Sequence, residues 1–449
     1  MPQIVPLRST AIAVSSGTRY MYLFGGDWQT TVDICGQVMS SAGVISNVHL
    51  ELGTAPGGTA QWTVTLMVNE VASALTFTIT GTATTGSDTT HSVSFSAGDV
   101  LAWRAVNTVG TPASALFRDW YFELAPTTAG VSQFGNIRGS WNNTAKVGAP
   151  GCLIGGGIVS GGDEYRFQHV VPTAGTFIAS YGYQVGAGTT ATGFVIMLNK
   201  NGVDQDGTGG TVDTRVSWNF QSVKSVSGGT YSLPVVAGDL VYVKFTAVGT
   251  PNTKTVSFCI SFKATNTSEY ILGSNLGDNQ LGTGIGITAY TPMMCGIASG
   301  VPTFSASELA LAIYPTRPMN ITKMYIWLQN APNAGQSRSF TLRKTSADQS
   351  LTCTIADTAF AANDTANGHK VSYSSGDTLA LKETSITSAA ASSRGTYSLV
   401  TDFPGGGKGA GGGNSGNKKG GGGALNIQTA GGAGMIQFGN PGLDIGITS

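Results

Sequence analysis

The acidic residues of this 449-residue chain that come nearest to a ligand set lie in one loop, Asn201-Gly-Val-Asp204-Gln-Asp206-Gly207 with Asp213 beyond it. Carboxylates two apart, a glycine and a further acid partly imitate a calcium loop, but Gly202 stands where the first ligand belongs. Asp204, Asp206 and Asp213 are therefore the metal candidate, and a solvated hairpin loop is the competing reading. His91 and His369 each lie eight residues before an aspartate of a repeated turn, and Tyr231 holds the same place in the middle copy. No serine or cysteine nucleophile with an oxyanion motif accompanies them, so a strand-edge packing role is expected rather than that of a catalytic base. Glycoside hydrolysis needs two carboxylates facing each other across a cleft. The adjacent pair Asp163-Glu164 would point to opposite faces of a strand. Trp28, Trp120 and Trp141 fall near loops or strand ends, where an exposed ring stacks on a sugar and a buried one fills a core. The five cysteines, at 35, 152, 259, 295 and 353, have no close pairs, which argues against both a disulfide framework and a zinc site. No catalytic residue and no cofactor is assigned.

What must position these residues is a strand, a Gly-Asp turn and a second strand, present three times. The copies read Ser92-Val-Ser-Phe95-Ser-Ala-Gly98-Asp99-Val-Leu101-Ala-Trp103, then Ser232-Leu-Pro-Val235-Val-Ala-Gly238-Asp239-Leu-Val241-Tyr-Val243, then Lys370-Val-Ser-Tyr373-Ser-Ser-Gly376-Asp377-Thr-Leu379-Ala-Leu381. Apolar residues alternate on both sides of the turn, the mark of half-buried antiparallel strands. Glycine supplies the positive φ of the reversal, and aspartate can bond the backbone around it.

The copies are 140 and 138 residues apart, which sets three domains of ordinary size. The expected organisation is repeat one over 1–125, repeat two over 126–264 and repeat three over 265–403. Each is an all-β antiparallel sandwich of jelly-roll type with about eight strands and no amphipathic helix. A Gly-rich linker follows over 404–423, and then a terminal segment over 424–449. That segment carries alternating apolar residues (Leu425, Ile427, Met435, Ile436, Phe438, Leu443, Ile445), too few for a domain, so it is expected to anchor on a partner surface.

Only 11% of residues are charged, and 24 basic residues balance 24 acidic ones. No net field draws the chain to nucleic acid or an anionic membrane. No apolar run reaches transmembrane length and the start lacks a secretory signal, so synthesis in the host cytoplasm is expected, with no membrane insertion.

The pattern Ala55-Pro-Gly-Gly58, Trp62-Thr-Val-Thr-Leu66, Leu75-Thr-Phe-Thr-Ile79 and Gly98-Asp99 resembles the C1q/TNF-like jelly-roll modules of bacteriophage structural proteins. Its third copy is Ala331-Pro-Asn-Ala334, Ser339-Phe-Thr-Leu-Arg-Lys344, Leu351-Thr-Cys-Thr-Ile355 and Gly376-Asp377. The second copy departs at its middle loop, where Gly186-Ala-Gly188 replaces Ala-Pro-Gly. The resemblance implies a virion surface protein (head decoration, head fibre or tail fibre), assembled as a homo-oligomer, a trimer, with other virion proteins as partners. A glycan-binding adhesin of a host surface is the alternative it leaves open, and a polysaccharide depolymerase comes behind that.

Overall fold

The computed structural model describes residues 2–135, 139–141, 168–185, 193–219, 224–248, 254–275, 288–291, 312–385, 395–403, 425–430, 433–438 and 444–445, with Glu308 and without residues 8–10, 13–16, 27, 114 and 316. The described chain is all-β, and two units compose it, residues 1–406 and 407–449.

In the first unit the described strands form six sheets, two from each repeat. Repeat one lays Gln3–Leu7, Ala115–Pro126, Gly43–Leu52 and Thr85–Phe95 side by side in one sheet, and Thr18–Tyr22, Val100–Val109, Gln61–Val68 and Val71–Thr80 in the other. All neighbours are antiparallel, and consecutive strands alternate between the sheets except where the hairpin at Asn69-Glu70 joins two of them. This interleaving is that of a jelly roll. Repeat two has Val131–Gly135, Lys254–Ala264, Gly175–Val185 and Lys224–Val235 against His169–Val170, Leu240–Val248 and Gly193–Lys200. Repeat three has Tyr270–Asn275, Gly395–Asp402 and Met319–Leu328 against Thr288–Thr291, Leu379–Ser385, Ser337–Lys344 and Ala347–Ala356.

The alternation in the sequence explains the layers. Along Val71–Thr80, Leu75, Phe77 and Ile79 are buried while Thr76, Thr78 and Thr80 are exposed. In repeat one the inward residues close around Trp103, whose ring lies 4.9 Å from Trp120 and 5.8 Å from Phe122. Full burial of one such ring contributes about 1.5–3 kcal/mol relative to exposure. Trp120 is a core residue, and the partly buried Trp28 packs on it at 6.1 Å.

Each Gly-Asp turn is a double clamp. Gly98, Gly238 and Gly376 take φ of 91°, 96° and 90°. One carboxylate oxygen of Asp99, Asp239 and Asp377 accepts the backbone N–H three residues earlier, from Ser96 at 2.7 Å, Val236 at 2.9 Å and Ser374 at 2.6 Å. The other oxygen accepts from a neighbouring hairpin, from Asn69 (2.8 Å), Asn201 (2.7 Å) or Thr345 (3.2 Å). Those three residues are themselves left-handed, with φ of 49°, 52° and 46°. The aspartate thus ties two tight turns at one end of each sandwich.

The second unit holds a three-stranded antiparallel sheet, Leu425–Ala430, Ala433–Phe438 and Asp444–Ile445. The sequence predicted no sheet here, because its apolar residues are diluted by glycine; cross-strand pairing supplies order that a count of apolar residues misses. Leu425 is opposite Phe438, Ile427 opposite Ile436, and Ile436 opposite Ile445, so these positions fall on one side of the pleat. Met435 is opposite Gln428, on the other side. Leu443 and the Gly-rich run 404–423 lie outside the described residues.

Candidate functional site at the seams between repeats

The candidate metal residues do not converge. Asp204 accepts from Asn199 at 2.7 Å and pairs with Lys244 at 2.5 Å. Asp206 is taken by the Thr208 hydroxyl at 2.7 Å and the Thr208 N–H at 2.9 Å, which hold it below the usual carboxylate range. Asp213 forms a fork with Arg215, at 2.9 and 2.8 Å, that lowers it likewise. Asp206 and Asp213 face each other across a β-bridge, but each carboxylate has its own protein partner. Among the described residues no three His, Cys, Asp or Glu side chains gather as a metal site. Asp163-Glu164, Cys152 and Cys295 lie outside those residues, as does the side chain of Trp141. Cys35, Cys259 and Cys353 are buried free thiols, and burial pushes Cys259 up to about 11.

The repeated histidines are clasps. His91 Nδ1 lies 2.9 Å from Asp88 and His369 Nδ1 2.8 Å from Asp364. The two aspartates also cap backbone: Asp88 accepts the N–H groups of Thr76, Thr90 and His91 at 3.0, 3.1 and 3.0 Å, and Asp364 accepts those of Thr352 and Ala366 at 2.8 and 3.2 Å. Burial works to raise Asp88, but these bonds prevail and hold it at about 2. In repeat two Tyr231 meets the Ser180 hydroxyl instead.

The side chains whose arrangement repeats without a sequence signal are those between repeats. Gln37 pairs with Leu101, His169 with Val241 and Ile313 with Leu379, and the three partners are equivalent positions after the Gly-Asp turn. Each of these short segments is applied to the next repeat. Gln37 donates to the Phe258 carbonyl at 2.8 Å, and Ser257 donates to the Gly36 carbonyl at 2.6 Å. Gly36 approaches so closely that a Cβ there would sit 2.5 Å from the Tyr183 ring. Val38, Tyr183 and Cys259 fill that seam, and Lys224 bridges Asp33 and Glu70 at its edge.

In the second seam His169 and Val170 pack on the strands Met319–Leu328 and Gly395–Asp402, with Val170, Tyr325, Trp327 and Leu240 in one cluster. Both nitrogens of His169 are buried without a hydrogen bond among the described residues, and burial lowers the imidazole to about 3. The Thr396 hydroxyl reaches the Gln168 carbonyl at 2.7 Å.

The third seam returns to repeat one. Tyr314 faces the strands Gly43–Leu52 and Ala115–Pro126, and Arg317 lies 3.5 Å from Glu123. The first strands of the three repeats also meet: the Gln133 N–H donates to Gln3 at 3.0 Å and the Ile271 N–H to Ser132 at 3.0 Å, while Gln3–Leu7 touches Tyr270–Asn275. The same contact runs one to two, two to three and three to one, and so closes on itself as a heterologous interface must if it is to form a ring.

At this third seam a cleft of about 240 Å³ opens. Tyr314 and Tyr121 flank it with His49, whose ring stacks on Tyr121 at 5.0 Å, and Glu51, Thr85 and Ser87 supply polar edges. A relay orients the imidazole: His49 Nε2 lies 3.1 Å from Asn47 Oδ1, and Asn47, left-handed at φ 51°, donates to Glu123 at 3.0 Å. Burial lowers the pKa of His49, and the Glu123 charge offsets this in part. Sequence reasoning singled out neither His49 nor His169.

No family model matches the chain, the C1q/TNF-like modules included, and no curated protein matches it. Among solved structures, a chain of the atomic structure of Sulfolobus Turreted Icosahedral Virus is similar at 10% sequence identity, with 90% of each chain covered and a TM-score of 0.17.

Proposed function

We propose that the chain is a structural protein of a bacteriophage particle, displayed on the virion surface as a head decoration or a head or tail fibre, and that it acts by protein–protein assembly rather than by catalysis. The observation that carries this reading is the closed set of three jelly rolls. Its first seam is built from buried amides and hydroxyls, such as Gln3, Gln133 and Ser40, that have to be satisfied in one register. Such a body resists relative motion of its parts, which suits a building block. The short apolar sheet of 425–445, tethered through the Gly-rich run, is the part proposed to engage other copies, as a homotrimer, and other virion proteins.

The test is incorporation. Particles from producing cells are separated on a density gradient and probed for the full chain and for a chain ending at Phe403. The full chain is expected in the particle fraction and the truncated chain in the free fraction. A full chain that never sediments with particles refutes the virion role; a truncated chain that does so refutes the role of the tail.

A further inference from the structure

The three seams are equivalent in backbone pairing but not in filling. Val38 with Tyr183 and Cys259 closes the first, and Val170 with Tyr325 and Trp327 closes the second. In the third, Tyr314 occupies the place of those valines, and none of the described residues fills the cleft beside it. Folding alone does not require the difference, because the same backbone arrangement is closed by apolar side chains twice in the same molecule. Filling such a space with apolar side chains is stabilising, so the open polar cleft beside Tyr314 points to a ligand.

The lining decides the class of ligand. Tyr314, Tyr121 and His49 offer flat rings with polar edges, suited to the apolar face of a ring bearing hydroxyls. Thr85 and Ser87 both donate and accept, and Glu51 accepts strongly from hydroxyls. The nearby cation, Arg317, faces Glu123. The imidazole is shifted toward its neutral form, so the lining offers no positive charge to an anion and Glu51 repels one. Sites for drug-sized ligands run to about 300–1,000 Å³, so 240 Å³ suits something smaller, the size of one sugar ring. We propose that the cleft between Tyr314 of repeat three and Tyr121, His49 and Glu51 of repeat one binds a neutral saccharide, one pyranose ring of a glycan. This site does not depend on the virion role, and it would serve a particle protein or a free one alike.

The test uses the full chain in saturation-transfer NMR and calorimetry against methyl glucoside, methyl galactoside, methyl mannoside, N-acetylglucosamine and glucuronate. At least one neutral sugar is expected to bind with a Kd of about 1 mM, equivalent to about 4 kcal/mol, and more tightly than glucuronate. Tyr314→Ala is expected to weaken it at least about tenfold, or about 1.4 kcal/mol. Because Tyr314→Ala also loosens the seam, Ser87→Val is the second variant: it stands on the exposed wall of the cleft, leaves the seam intact, and is expected to weaken binding with an unchanged melting temperature. Absence of binding by every neutral sugar, preference for glucuronate, or binding that survives Ser87→Val overturns the proposal.

Discussion

Acid should loosen the second seam, and His169 sets where. The folded chain holds this imidazole neutral down to about pH 3 because it is wholly buried and neither nitrogen has a hydrogen-bond partner among the described residues, whereas in the unfolded chain it titrates near 6.5. Burial alone causes the shift: of the charges on the strands packed against it, Lys323 is paired with Glu269, Lys244 with Asp204, and Asp402 with Lys370. Between pH 6.5 and 3 the unfolded state therefore binds one proton more than the folded state, so this stability is complete above 6.5 and is lost as pH falls. At about 1.4 kcal/mol per pH unit, the loss at pH 4.5 is about 3 kcal/mol, a large part of the roughly 5–15 kcal/mol that holds a domain together. The assay is guanidinium unfolding of the wild type and of His169→Gln at pH 7.5, 6.5, 5.5 and 4.5. Glutamine is chosen because Gln37 occupies the equivalent place in the first seam and finds a carbonyl there. Depressed carboxylates such as Asp88 act below about pH 4, and His49 titrates alike in both proteins, so the difference curve isolates His169. It should rise by about 3 kcal/mol across this range. Parallel curves would show that His169 does not carry this pH dependence.

Asp88→Ala and Asp364→Ala should each cost about 1–3 kcal/mol in urea unfolding, since each removes a buried carboxylate that accepts two or three part-buried backbone N–H groups. His91→Ala, which removes a half-exposed ring, should cost well under that. Arg338 and Glu383 form an ion pair inside repeat three, 1% and 3% exposed, and burial pushes Glu383 up. Arg338→Met alone should destabilise by about 3–5 kcal/mol, and Arg338→Met with Glu383→Leu should recover most of it; equal losses in the single and double variants would contradict the pairing. A chelator should move the melting temperature by less than about 2 °C, under about 1 kcal/mol for domains of this size. A fall beyond about 10 °C would return Asp204, Asp206 and Asp213 to a shared cation.

The sandwiches were legible because their signals are local. Alternation and the Gly-Asp turn act within a dozen residues, and the clamp on Asp99, Asp239 and Asp377 needs a partner only one hairpin away. Of the clasp, the sequence marked His91 and His369 but not the aspartates that hold them, although Thr76 and Asp88 recur as Thr352 and Asp364 at one offset of 276 residues. The seams were not legible. Gln37, His169 and Ile313 differ in type and stand 62, 70 and 64 residues before their turn aspartates, because the intervening loops differ in length. Their partners lie far along the chain, as Phe258 does from Gln37, and only folding brings them together. His49 has no repeated counterpart to mark it, and its cleft exists only because Tyr314 arrives from another repeat.

Solution mass separates a body that closes on itself from one that needs neighbours. The full chain and a chain ending at Phe403 are compared by sedimentation velocity, with circular dichroism to check that both are folded. Three jelly rolls whose seams close within one chain, with assembly assigned to 404–449, predict a folded monomer for the truncated chain and a trimer for the full chain. A truncated chain that trimerises as the full chain does would contradict this, because the repeats would then be completing their seams between molecules.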